Sequence, residues 1–251
     1  MKNLIATVSI LAASTMVAPT LASAQDAFSA DQKAEIKQMI EQYIAENPKA
    51  VLDSLEDYRM KELQRVENEA KEKAAQMAES FKTDKSYPTA GNPDGDIVVV
   101  EFFDYSCGYC KKAITAVQEI TSSQKDIKVV FIELPILGES SLLAAKWALA
   151  SQKQDKYFEF HQALMEFRGQ KTEEELSKIA TGLGMDVEKL KADANEDEIQ
   201  MALDKNRELA ESIGVSGTPA FIIGDQVVRG YVPYATMEGM IEEIRNAEKE
   251  G

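Results

Sequence analysis

Residues 97–112 read Ile-Val-Val-Val-Glu-Phe-Phe-Asp-Tyr-Ser-Cys-Gly-Tyr-Cys-Lys-Lys. The opening run of Val, Ile and Phe predicts a buried strand, and Asp104-Tyr105-Ser106 leads from it into a helix predicted to begin at about Cys107. On this reading both cysteines of the chain lie in the first turn of one helix. That turn presents unpaired backbone N–H groups and the positive end of the helix dipole, which favour thiolate over thiol. Cys107 is therefore expected to be the acidic, attacking sulfur, and Cys110, three residues on, to resolve the mixed disulfide.

Two other readings of the pair stand beside this one. A static bridge across two residues closes too small a loop to restrain the unfolded chain much. A structural zinc site wants four Cys or His ligands, whereas the chain has two Cys and one His, which leaves only a metal shared between chains. The redox reading follows from a C-x-x-C beside a βαβ pattern.

Upstream, Lys2, an apolar stretch from Leu4 to Val17 and Ala22-Ser23-Ala24 have the layout of a secretory signal. The expectation is cleavage after Ala24 and export to the periplasm, with a retained N-terminal anchor as the alternative. The formal charge of −15 argues against a nucleic-acid partner. Two cysteines are too few to staple a secreted scaffold, so in an oxidising compartment they read as the working part.

Between these segments lie two amphipathic helices. Ile36, Ile40, Tyr43 and Ile44 recur at helical spacing behind a capping-like Ser29 and Gln32. Asn47-Pro48 then ends the first helix and starts a second, expected to run to about Phe81 with Val51, Leu52, Leu55, Tyr58 and Leu63 on its stripe. Such a stripe wants a partner, either the chain's own globular part or other copies in a helical bundle. The domain reading is a signal peptide at 1–24, a helical oligomerisation stalk at 25–82 and a flexible turn-rich linker at 83–95. A catalytic domain at 96–251 completes it, with a helical insertion at about 140–213.

Downstream of the cysteine helix, Lys128–Glu133 reads as a strand parallel to the first. Five helices follow, punctuated by Gly169, Gly182, Gly184 and Gly214. The chain closes with Gly217-Thr218-Pro219, a hairpin around Gly224-Asp225 and a helix from about Tyr234. The fold class is α/β. Trp147, Tyr157, Phe158 and Phe160 read as core, and His161 as a structural residue of the insertion.

Glu-Phe-Phe-Asp-Tyr-Ser-Cys-Gly-Tyr-Cys together with Val-Ser-Gly-Thr-Pro-Ala-Phe resembles the DsbA family of thiol-disulfide oxidoreductases, over about Asp96 to Glu248. The resemblance implies a thioredoxin fold with an inserted helical domain and a cis Thr218-Pro219 bond facing the cysteines, where Thr218 and Pro219 bind substrate. It also places an acidic residue, here Glu101, six positions before the first cysteine, as a proton acceptor for Cys110; a strand-end carboxylate reaching water is the alternative. The intervening pair Gly108-Tyr109 differs from the Pro-His of strongly oxidising members. With Thr before the proline, it is similar to the disulfide isomerases and the suppressor-of-copper-sensitivity C branch, whose N-terminal helical extension makes trimers.

The resemblance thus implies an exported disulfide isomerase or reductase without a cofactor. It would act on misoxidised secreted proteins as a homotrimer and be recharged by a membrane reductase of the DsbD type. A DsbA-like oxidase fed by a DsbB-type quinone reductase, and a copper-binding protein using the same thiolates, are the alternatives.

Overall fold

The structure, a computed structural model, describes residues 28–250. The expected signal peptide and its cleavage after Ala24 lie outside the described residues. The chain divides into two compact units, one ending at Arg59 and the other beginning at Met60.

In the first unit, α1 (Ala30–Glu46) is opened by a capping box in which Ser29 and Gln32 satisfy each other's backbone N–H groups. Asn47 closes it, and Pro48 starts α2 (Pro48–Thr83). No residue of α1 is buried, and Ile40, Tyr43, Leu52, Leu55 and Tyr58 are all exposed. The apolar stripe read from the sequence is thus exposed among the described residues.

The second unit holds a five-stranded sheet in which β1 (Thr89–Gly91), β3 (Ile127–Glu133), β2 (Ile97–Phe103), β4 (Ala220–Ile223) and β5 (Gln226–Arg229) lie side by side in that order. At its centre β2 (Ile97–Phe103) pairs in parallel with β3 (Ile127–Glu133), joined through α3 (Cys110–Ser123) as the expected βαβ unit. On the other side β4 (Ala220–Ile223) pairs antiparallel with β2, and β5 (Gln226–Arg229) with β4. Between β3 and β4 come α4 (Glu139–Ser151), α5 (Tyr157–Glu166), α6 (Glu173–Gly182), α7 (Val187–Ala194) and α8 (Asp197–Ser212); α9 (Tyr234–Glu250) closes the chain. This is a thioredoxin-like fold with a helical insertion. Trp147, Tyr157 and Phe160 are buried, as core residues must be, and Phe158 packs against the same core.

Two expected boundaries shift. The segment 83–95 is no free linker, because β1 (Thr89–Gly91) pairs antiparallel with β3 and lengthens the sheet. At Gly91, φ is +79° and a Cβ would come within 2.6 Å of the Ile127 carbonyl oxygen, so glycine ends this strand. The stalk likewise does not reach residue 82: Ala70, Ala74 and Phe81 of α2 are buried with Val100, Phe102, Val130 and Ile132. Small residues replace Leu and Ile on this half of the stripe because the helix lies close against the sheet.

Phe81 is 1% exposed and its ring lies 5.6 Å from that of Tyr87. Phe81→Ala is therefore expected to cost the globular unit about 3–5 kcal/mol in urea unfolding, as for a core aromatic. A residue on a free stalk would change nothing.

Candidate active site

The alternation of β2 sends Val99, Glu101 and Phe103 to one face of the sheet and Val100 and Phe102 to the other. The first face carries α3 and both cysteines. The chain leaves β2 through a turn in which the Cys107 N–H donates to the Asp104 carbonyl at 3.0 Å. Helix α3 begins at Cys110 rather than at Cys107, so Cys107 precedes the helix instead of sitting in its first turn. Its carbonyl accepts from the Lys111 N–H at 3.1 Å, and its sulfur accepts from the Cys110 N–H at 3.5 Å. The sulfur therefore lies just before the helix and takes up the N–H of its first residue.

The two thiols are unequal. Burial raises the Cys107 pKa, but hydrogen bonds from the Cys110 N–H, the Thr218 side chain, the Cys110 thiol and the Tyr109 backbone outweigh it. The net result lies below that of an ordinary thiol. Cys110 is fully buried, and burial, then the Glu101 charge, push its thiol far up. One sulfur ionises more readily than an ordinary thiol and the other is held protonated.

Thr218-Pro219 is a cis peptide, and the Cys107 thiol donates to the Thr218 carbonyl at 3.2 Å. Pro219 is buried, and its carbonyl accepts from the Gly230 N–H at 2.8 Å. Gly108 is exposed, and a Cβ there would meet open space. Tyr109 is 59% exposed, with Lys112 Nζ 5.0 Å above its ring. Thr218, Gly108 and Tyr109 are therefore brought together around Cys107.

Glu101 does not reach water. It is 1% exposed, and neither carboxylate oxygen has a hydrogen-bond partner. Burial, then the charge of Cys107, push its pKa up to about 8. A carboxyl group in this state takes or yields a proton near neutral pH without a large driving force.

Sequence reasoning missed the polar cluster behind the turn. The register places Phe103 beside Glu133, and Glu133 Oε1 accepts from Tyr105 Oη at 2.8 Å and Tyr157 Oη at 2.9 Å. Tyr105 Oη also lies 3.1 Å from His161 Nδ1. Burial pushes His161 down to about 3, so it is neutral, and among the described residues it makes no hydrogen bond to either sulfur. Asp104 ties the same turn: it accepts from the Ser106 N–H at 2.6 Å, from Ser141 Oγ at 2.7 Å and from the Leu137 N–H at 2.9 Å. The only sequence signal for this set was the run Asp104-Tyr105-Ser106 before the first cysteine.

Residues 98–242 match the family model described as a DSBA-like thioredoxin domain. The chain belongs to the DsbA-like thioredoxin family. As a DsbA-like protein it is 26% identical over 176 residues to disulfide bond formation protein D of Bacillus subtilis, covering 63% of this chain and 77% of that protein. A thioredoxin-like oxidoreductase from Silicibacter pomeroyi aligns with a TM-score of 0.65 and 38% identity, covering 67% of this chain and 97% of that one. Proteus mirabilis ScsC, in a transitional conformation, aligns with a TM-score of 0.63 and 26% identity over 86% of this chain and 98% of its own. Several curated Na(+)/H(+) antiporters also match, but the chain spans only about a fifth of their length. The DsbA-like chain is a thiol-disulfide oxidoreductase, and among its described residues no helix is long and apolar enough to cross a membrane.

Proposed function

We propose that this oxidoreductase is an exported protein disulfide isomerase and reductase, working in the periplasm through the Cys107–Cys110 dithiol. The asymmetry of the two thiols is the observation that carries the chemistry. Cys107 thiolate attacks a substrate disulfide, forming a Cys107–substrate disulfide and releasing the other substrate sulfur as thiolate. That sulfur can attack elsewhere in the substrate, and a later thiolate of the substrate displaces Cys107, which completes isomerisation with no net electron transfer. Alternatively Cys110 gives its proton to Glu101 and attacks Cys107 Sγ. This step releases the substrate thiolate and leaves the Cys107–Cys110 disulfide, a two-electron reduction of the substrate. Because Cys110 is buried and hard to ionise, this escape is slow, which leaves time for shuffling.

Thr218 and Pro219 bind the substrate chain. Once the Cys107 thiol proton is gone, the Thr218 backbone is free to pair with an extended substrate segment. Gly108 and Tyr109 form the exposed rim over which that segment passes. No cofactor is required. Each reduction must be reversed by an electron donor, for which a membrane reductase of the DsbD type is the expected partner.

The uncovered stripe of α1 and the first half of α2 supports self-association, and the resemblance to the copper-sensitivity branch favours a homotrimer. Several active sites facing one substrate suit an isomerase. Ile40→Glu with Leu55→Glu, both at exposed positions, is expected to turn the trimer into a monomer by light scattering. The same change is expected to abolish reactivation of scrambled ribonuclease while leaving dithiol chemistry intact. Unchanged reactivation by a monomeric variant would contradict the proposal and favour an oxidase.

A further inference from the structure

Four cations surround the start of α3. Lys111 and Lys112 follow Cys110, and Lys111 Nζ donates to the Phe167 carbonyl, which fastens the loop between α5 and α6 to the helix. From that loop come Arg168 and Lys171, whose charges Lys111 feels. Lys171 is only 3% exposed. Among the described residues it forms no ion pair, in contrast to Lys153, Lys178 and Lys191, which are each held by two glutamates.

The carboxylate whose field Lys171 feels is Asp104, and its oxygens are already taken by Ser106, Ser141 and Leu137. Cations gathered on one loop and helix turn, one of them buried, are unfavourable until something negative joins them. The cost is visible at Lys111: burial first, then Lys171 and Arg168, push it down to about 8. Helix α3 adds the positive end of its dipole. In a chain of net charge −15, a concentration of positive charge without an ion-pair partner at the first turn of the helix that carries Cys110 is a feature in need of a ligand.

We propose that Lys111, Arg168 and Lys171 bind a carboxylate carried by the substrate, next to the sulfur that Cys107 attacks. This rests on the oxidoreductase reading and narrows its substrate class to thiols and disulfides bearing an acidic group. The carboxylate has two sources, a small free thiol such as glutathione or an Asp or Glu flanking the cysteine of a polypeptide. Arg168 is exposed, so the site is open to both.

The test uses the full-length reduced protein and the variants Lys171→Met and Arg168→Met. Their rate constants are compared with glutathione disulfide, with uncharged hydroxyethyl disulfide, and with two peptide disulfides flanked by Glu or by Gln. Loss of one cation a few ångströms from a carboxylate is expected to slow the acidic substrates about five- to tenfold. The uncharged and Gln-flanked substrates are expected to change less than about twofold.

A fall for glutathione disulfide alone assigns the site to small thiols, and a fall for the Glu peptide alone assigns it to polypeptides; either supports the proposal. Equal loss for charged and uncharged substrates, or none for any, overturns it and leaves the oxidoreductase reading standing. Arg168→Met keeps the test decisive if Lys171→Met fails to fold. Failure of the unmodified protein to react with any disulfide would overturn the oxidoreductase reading instead.

Discussion

Cys110→Ser is expected to stop the reaction at the covalent adduct, with Cys107 joined to substrate, while Cys107→Ser forms no adduct and loses at least about 10³-fold in exchange rate. The difference comes from the geometry. The Cys107 sulfur faces the Thr218 carbonyl at 3.2 Å and receives the Cys110 N–H, and with Cys107 at 7% exposure against 0% for Cys110 an incoming disulfide meets it first. Cys110 lies wholly inside, where only Cys107 Sγ is within its reach as a target. Replacing Cys110 keeps the backbone donor that holds the Cys107 thiolate and removes only the escape step. Non-reducing electrophoresis with a substrate protein distinguishes the two variants, because the adduct accumulates in one and is missing in the other. Adducts of equal yield through either cysteine would show that the thiols are equivalent.

The second large effect concerns stability and comes from Glu101. Its folded pKa is about 8 against an ordinary value of 4.5, because burial and then the nearby thiolate penalise its charge. Between those pH values the folded protein keeps a proton that the unfolded chain has released. The contribution is therefore fully present below pH 4.5 and is lost as pH rises through about 8, with a slope of up to about 1.4 kcal/mol per pH unit. Glu133, also raised by burial, acts in the same direction. Urea unfolding at about pH 5 and about pH 8 is expected to show the reduced protein several kcal/mol less stable at the higher pH. Glu101→Gln is expected to flatten the slope without abolishing it, since Glu133 remains. An unchanged slope in Glu101→Gln would mean that Glu101 titrates normally.

Much of this site was legible in the chain because its parts are local. The strand at 97–103, the C-x-x-C beside it and the Thr-Pro before a later strand each carry their signal within a few residues. What was not legible depends on pairing between distant segments. Glu133 reads as the end of a strand until the register sets it beside Phe103, with Tyr105 and Tyr157 donating to it. Thr89–Gly91 reads as a turn because three residues carry no periodicity, and only pairing with β3 makes them a strand. Helix α2 shows one stripe with two uses: large residues on the exposed half, and Ala70, Ala74 and Phe81 where it meets the sheet. The change in residue size is visible in the sequence, but it does not by itself say that the helix meets the sheet there, so the expected stalk ran on to residue 82. Cys107 lies outside α3 for a similarly local reason. Its sulfur accepts the N–H of the helix's first residue, and a residue just ahead of a helix is hard to tell from a first-turn residue by sequence alone.

The central claim is the inequality of the two thiols, and the most direct measurement is alkylation of the reduced full-length protein by iodoacetamide across pH, read residue by residue by mass spectrometry. Cys107 is expected to be modified first, with a midpoint below that of a free thiol, while Cys110 stays unmodified throughout the range in which the fold persists. Modification of both cysteines with one common midpoint, or of Cys110 before Cys107, would contradict the claim.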